Sequence, residues 1–416
     1  MWMSKKGKEL DFPDLIDPNC TALIVIDMQN DFCTPAGAYG RAGQDASPMP
    51  AVAEKLRKLV ATARARQVFT VFVRATYDEE VTSRALAQNR RRRGLVDSLC
   101  LEGTWGAQWY GDVEPSPGAP NEVVLTKHRF DAFQGTPLDL YLRNNGIRTV
   151  VITGVATSGC VESTIRHAFF QDYMVVVPRD AVAEVGLIYH EQSLAILKRA
   201  FVTITHVDDL VVEWARRDVP VAPLWSVAAR RQRAAEDATA EGLVLVDIDR
   251  LDAGKAAAAK RLVATARDRG IPVFDVRTID VIHGRSVWTN AEGSGQPTEL
   301  PIKATPAEML VGKMRRSAFA GTRLALLLRT NGVRHVTLVG ADVAAGSITA
   351  TVLDALDADY AITIAADACA DLDLAAAEQA GAATALSTDI DARWRARPAR
   401  VTSVVALAAT AGAPAA

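Results

Sequence analysis

At 416 residues the chain is longer than one hydrophobic core usually serves, so two domains are expected. An apolar content of 49% with 23% charged residues fits an ordinary globular protein, and a net charge of −2 gives no electrostatic argument for nucleic acid or an anionic membrane. Five scattered cysteines (Cys20, Cys33, Cys100, Cys160, Cys369) form neither a disulfide framework nor paired metal spacing; with no membrane-length apolar run and no apolar leader, a cytoplasmic location with reduced thiols is expected.

After a polar lead-in, Thr21 to Ile26 (TALIVI) reads as a strand ending on Asp27, followed by a turn-rich loop. Ala51 to Arg66 has helical spacing, and Val68 to Val73 is a second strand. Residues 78–122 form a long irregular excursion; the basic run Arg90 to Arg93 within it reads as a solvated loop or helix end. Val123 to Leu125 is a short strand leading to Lys127. Pro137 to Asn144 reads as a helix stopped by Asn145-Gly146, and Thr149 to Thr153 as a buried strand broken by Gly154. The small-residue turn Val155-Ala156-Thr157-Ser158-Gly159 leads to Cys160, which opens a helical pattern of Val161, Ile165, Ala168 and Phe169. A strand from Met174 to Val177, a helix at about 188–200 and a strand from Phe201 to Thr205 complete the unit.

That alternation predicts an α/β fold of three α/β/α layers around a mainly parallel sheet. Ligands of such sheets bind beyond the carboxyl ends of the strands, where Asp27, Lys127 and Cys160 all fall. A thiol at a helix start is expected to have a lowered pKa, and nearby N–H groups can hold an oxyanion. Taken singly, Cys160 equally fits a small buried hydrophobe, Asp27 a capping carboxylate and Lys127 a surface lysine. Their convergence on one sheet edge favours a catalytic triad.

The second half repeats the first. GTPLDLYLRNNGIRTVVITG (135–154) matches GTRLALLLRTNGVRHVTLVG (321–340) without a gap, and LVATAR recurs at Leu59–Arg64 and Leu262–Arg267. The register pairs Asp27 with Asp247, Lys127 with Lys313 and, after one inserted residue, Cys160 with Ser347. Two tandem copies follow: residues 1–217, a linker at 218–240, and residues 241–416 ending in a low-complexity tail after Leu407. A serine hydroxyl needs a dedicated base, so the second copy is expected to be catalytically silent.

VIDMQNDF, the lysine after a short strand and GVATSGCVESTIRHAFFQDY together resemble the isochorismatase-like cysteine hydrolase superfamily, over nearly all of residues 20–210 and, in degenerate form, 241–408. The resemblance implies Asp27 as general base, Lys127 as electrostatic partner and Cys160 as nucleophile, with no cofactor. It also implies a cis peptide at Val155–Ala156, beside a Val155, Ala156, Thr157 oxyanion turn. Isochorismatases lack the cysteine, and nicotinamidases usually carry a histidine-bearing metal site after the second strand. Here that region reads VRATYDEEVTSR, with no histidine, so no metal is expected. EGTWGAQWYGDVEP, KHRFDAFQGTPLD and CVESTIRHAFFQDY are similar to the ureidoacrylate and biuret amidohydrolase branch, and TSGC to N-carbamoylsarcosine amidohydrolases.

The implied reaction is metal-independent cleavage of a C–N bond in a small ureido, carbamoyl or linear amide substrate through a Cys160 thioester. A nicotinamidase-like amidase is the alternative within enzymes, and a non-catalytic scaffold the alternative outside them. Candidate substrate contacts are Asn30, Phe32, Trp105, Phe133 and Thr157, with Arg129 for a substrate carboxylate; Trp105 and Phe133 read equally as loop-anchoring core. Because superfamily members commonly build sites at subunit contacts, the two copies are expected to form an intramolecular pseudo-dimer that dimerises further.

Overall fold

The TALIVI run is apolar from Ala22 to Ile26 because it is buried on both faces. Leu23 and Val25 enter one core, and Ala22, Ile24 and Ile26 the other. This two-sided pattern recurs in the computed structural model, which describes residues 10–95, 99–119, 121–185, 187–216, 241–278, 308–313, 315–341, 347–370 and 382–396. The expected linker at 218–240 and the tail after Leu407 lie outside the described residues. The chain divides into two compact units, at residues 9–232 and 233–416.

The first unit holds β1 (Thr21–Ile26), β2 (Phe69–Ala75), β3 (Glu122–Lys127), β4 (Thr149–Val155), β5 (Met174–Pro178), β6 (Val182–Ala183) and β7 (Thr203–Thr205). They pair in the order β3-β2-β1-β4-β5-β7, with β6 beside β4, and every pairing is parallel. The topology reverses between β1 and β4, the place where an open α/β sheet leaves a crevice for ligands. Gly154 is required at that junction: its φ is +105°, and a Cβ there would lie 2.0 Å from the Ile26 carbonyl oxygen.

Helices cover both faces. Met49–Ala65 buries Met49, Val52, Ala53, Leu56, Leu59, Val60 and Ala63, one helical face, against the first core. Glu162–Phe170 buries Ile165 and Ala168 against the second. Four elements depart from the sequence expectation. The turn-rich stretch after β1 contains short helices at Asn30–Cys33 and Ala38–Arg41. The excursion contains a helix at Arg84–Arg92, capped by the Ser83 hydroxyl and ending in the basic run. A further helix, Val207–Arg216, follows β7; it buries Val207, Leu210 and Trp214, and the Trp214 indole donates to the Ile16 carbonyl at 2.8 Å.

The second unit repeats this plan. Strands β8 (Glu241–Val246), β9 (Val273–Thr278), β10 (Glu308–Lys313), β11 (His335–Ala341), β12 (Ala361–Ala370) and β13 (Ala383–Ala385) pair in the order β10-β9-β8-β11-β12-β13, all parallel. The fold is therefore α/β in two tandem copies. Gly340 stands where Gly154 does, with a Cβ position 2.1 Å from the Val246 carbonyl oxygen.

Candidate active site

Each reactive side chain is set by the end of a strand. Asp27 follows β1 in the left-handed region, with φ at +53°, while its amide still donates to the Val73 carbonyl at 2.8 Å. Lys127 is the last residue of β3, and Cys160 follows β4 through the turn Thr157–Val161. All three are buried, Lys127 completely. The Lys127 ammonium lies 2.7 Å from Asp27 Oδ2 and donates to Cys160 Sγ at 3.2 Å and to the Arg129 carbonyl at 3.1 Å. The Cys160 thiol is also a hydrogen-bonding neighbour of Asp27. The structure brings the sequence-predicted trio together.

The electrostatics correct one expectation. Cys160 does not sit on the first turn of a regular helix: the wide turn Thr157–Val161 precedes the helix Glu162–Phe170. Burial pushes its thiol up to about 12, and the Asp27 carboxylate pushes the same way, against the pull of Lys127. Burial also raises Asp27 above the usual carboxylate range despite Lys127. Burial works against the Lys127 charge, but Asp27 and Cys160 outweigh it and hold that ammonium well above its ordinary value. The thiol thus sits beside the close contact of Asp27 with Lys127, at 2.7 Å.

The nucleophile turn is clamped from outside. The Val155–Ala156 peptide is cis, as the family resemblance implies. Glu184, buried just after β6, accepts the Ser158 amide at 2.8 Å, the Ser158 hydroxyl at 2.5 Å and the Val185 amide at 3.0 Å. Thr157 Oγ1 meets His190 Nδ1 at 2.9 Å, and burial lowers the His190 pKa, keeping that ring neutral at physiological pH. The Gly159 and Val161 amides are taken by the Ala156 carbonyl, at 3.0 and 3.2 Å. Thr164 Oγ1 donates to the Cys160 carbonyl at 2.7 Å and accepts the Ala132 amide at 3.0 Å.

Cys160 opens into a cavity of about 640 Å³ lined by Phe32, Tyr39, Arg93, Phe130, Glu184 and Tyr189, among others. Of the substrate contacts expected from sequence, Phe32 lines this cavity; the others do other work. Asn30 donates from Nδ2 to the Trp105 carbonyl at 2.9 Å, a loop tie, and Trp105 itself is outside the lining and 49% exposed. Phe133 is buried in the second core, stacked on His167 with ring centroids 4.8 Å apart. Thr157 is buried beneath the turn. The Arg129 guanidinium donates to the Val81 and His128 carbonyls, at 2.9 and 2.7 Å, and is not among the lining groups. Asn30, Arg129, Phe133 and Thr157 are close to Asp27, Lys127 or Cys160 in sequence, but their side chains hold loops or fill core.

Two anchors that sequence reasoning missed hold the excursion to the sheet. Gln29, fully buried, accepts the Ala75 amide at 2.7 Å and donates to the Ala75 and Ala107 carbonyls, both at 3.0 Å. Asp31 accepts the amides of Ala38 at 2.9 Å and Cys100 at 2.7 Å. Their only signal was position, two and four residues past Asp27. Among the described residues, no three His, Cys, Asp or Glu side chains gather as a metal-holding group, and no helix is long and apolar enough to cross a membrane.

The second unit retains part of this arrangement. Asp247 has φ at +48° and lies 2.8 Å from Lys313, which donates to Ser347 at 3.5 Å.

Comparison with known proteins matches an isochorismatase domain model at residues 21–209 and 251–389. Among solved structures, an isochorismatase family protein from Desulfovibrio vulgaris is 30% identical over 48% of this chain and 100% of its own, with a TM-score of 0.40. The nicotinamidase from Bacillus subtilis is 26% identical over 45% of this chain and 99% of its own, at 0.40. The N-carbamoylsarcosine amidase from Thermoplasma acidophilum is 26% identical over 45% and 96%, at 0.37.

Proposed function

This chain belongs to the isochorismatase domain family in both of its halves, and from that premise we propose that its first unit is a cysteine amidohydrolase acting on a small ureido, carbamoyl or linear amide substrate. The observation that carries the reading is the approach of Lys127 to both partners, 2.7 Å to Asp27 and 3.2 Å to Cys160, in a buried site that opens on a cavity.

Asp27 takes the thiol proton as the sulfur attacks the carbonyl carbon, so the ion pair passes from Asp27–Lys127 to thiolate–Lys127 without a net change of buried charge. The oxyanion turns toward the amides of Ala156 and Cys160, because those of Ser158, Gly159 and Val161 are engaged by Glu184 and the Ala156 carbonyl. The carboxyl of Asp27 returns its proton to the leaving nitrogen, the C–N bond breaks, and a thioester remains. Water then attacks the thioester, giving its proton to Asp27; collapse releases the acid product and returns the thiol.

The second unit has the ion pair without the thiol, and we assign it no turnover. The test is ammonia release across biuret, N-carbamoyl amino acids, ureidoacrylate-like compounds and nicotinamide. Cys160→Ala is expected to lower any activity found by at least about 10³-fold. Turnover undiminished by that substitution rules the reading out.

A further inference from the structure

The two units treat the same backbone donor differently. Ala75 and Thr278 close β2 and β9 at equivalent positions, opposite Lys127 and Lys313 in the register. In the second unit the Thr278 amide and hydroxyl both go to Asp247. In the first, the Ala75 amide goes to Gln29 Oε1 at 2.7 Å, and no backbone amide among the described residues donates to either oxygen of the buried Asp27. The contacts of Asp27 are with the side chains of Lys127 and Cys160 instead.

Gln29 is fully buried, and the two bonds from its Nε2, to the Ala75 and Ala107 carbonyls, fix which way its oxygen points. A buried N–H must find an acceptor, and without Gln29 the acceptor that the second unit uses is the carboxylate at the end of the neighbouring strand. Hydrogen bonds to a carboxylate favour its ionised form and weaken it as a proton acceptor. We propose that Gln29 is a positioning residue for the general base: by taking the Ala75 amide it keeps the strand-end donor off Asp27 and leaves that carboxylate to Lys127, Cys160 and the travelling proton. The role in turnover rests on the amidohydrolase reading above. The other groups that respond to the Asp27 charge are Lys127, Cys160, Cys33, Cys100 and Tyr77. Burial pushes the three thiols and the phenol up, and Lys127 supplies the charge opposite Asp27.

The direct measurement is an NMR titration of the Asp27 carboxyl carbon in the full chain carrying carbon-labelled aspartate, with the signal assigned by its loss in Asp27→Asn. Gln29→Met is expected to lower the Asp27 midpoint by about one unit as the Ala75 amide turns to the carboxylate. Gln29→Glu keeps an oxygen for that amide but cannot make both donated bonds, so its midpoint is expected to hold or rise. A mere loosening of the excursion would admit water and lower the midpoint in both variants. Should Gln29→Met not fold, Gln29→Asn withdraws the same oxygen by one methylene. In turnover, the acid midpoint of kcat/KM should follow the NMR midpoint, and kcat at neutral pH should fall about threefold to tenfold in Gln29→Met with KM nearly unchanged.

An Asp27 midpoint unmoved or raised by Gln29→Met, or by Gln29→Asn in its place, overturns the inference and leaves the amidohydrolase reading standing. So does a midpoint that Gln29→Glu lowers equally. A midpoint that shifts as expected, in a protein that releases ammonia from no compound of the panel, overturns the amidohydrolase reading and leaves Gln29 as the residue that keeps the backbone off Asp27.

Discussion

Thr278 donates its amide to Asp247 at 2.6 Å, whereas Ala75, at the same strand position in the first unit, donates its own to Gln29 at 2.7 Å. The Thr278 hydroxyl adds a bond to Asp247 Oδ2 at 3.0 Å, and Lys313 lies 2.8 Å from that oxygen. The Asp247 carboxylate is thus held on both oxygens. Asp27 is spared that grip because Gln29 takes the strand-end amide in its place.

Ser347→Ala is therefore expected to leave ammonia release within about twofold of wild type and to cost about 1 kcal/mol of stability from the lost contact with Lys313. The Cys160→Ala, Ser347→Cys double variant is expected to stay inactive. Activity restored by that double variant shows that the second unit lacks only its sulfur.

Asp27→Asn separates base from charge. The carboxylate is one of the influences holding the Cys160 pKa up, so its removal lowers that pKa and leaves the sulfur paired with Lys127 alone. Turnover is expected to fall by at least about 10²-fold. Alkylation of Cys160 at pH 8 should meanwhile rise, about tenfold for each unit of downward shift. Parallel loss of both would mean that Asp27 only shapes the site.

The direction of the Asp27 shift also sets an acid limit. Burial raises this carboxyl, and the reaction needs its ionised form, so activity should fail on acidification while ordinary surface carboxylates are still charged. A kcat/KM profile with its acid midpoint above about 4 meets this expectation. The midpoint should disappear from the residual activity of Asp27→Asn.

Glu184 acts through the turn it holds. Glu184→Gln keeps the shape of the side chain but weakens its hold on the Ser158 amide and hydroxyl, which frees the backbone next to the nucleophile. The expected result is a fall in kcat of about tenfold to a hundredfold with KM nearly unchanged. A change confined to thermal stability would make Glu184 merely structural.

Gly154→Ala should be severely destabilising, by more than about 3 kcal/mol, because the new Cβ meets the Ile26 carbonyl oxygen at 2.0 Å and the backbone sits at a φ of +105°. Gly340→Ala has the same steric cause in the second unit, at 2.1 Å. Thermal denaturation of the two variants reads both effects.

The convergence of Asp27, Lys127 and Cys160 was legible because a doubly wound sheet leaves such groups where strands stop, although β3 and β4 run on to Lys127 and Val155, past the ends at Leu125 and Thr153 read from the pattern. The tandem copies were legible as an ungapped repeat. The cavity wall was not: Tyr39 and Arg93 come from a short helix and a helix end whose meeting depends on how the excursion folds back. No local period announces that Arg93 lines the cavity while Arg129 donates to carbonyls. The helix Val207–Arg216 escaped notice because the alternation of strand and helix is already complete at Thr205.

The clamps at Gln29 and Asp31 grip the excursion at Ala107 and Cys100, well past the helix that brings Arg93 to the cavity. The Asp31 that holds Cys100 also holds Ala38, the first residue of the short helix carrying Tyr39, so one carboxylate four residues past Asp27 moors both the excursion and a wall of the cavity to the strand end.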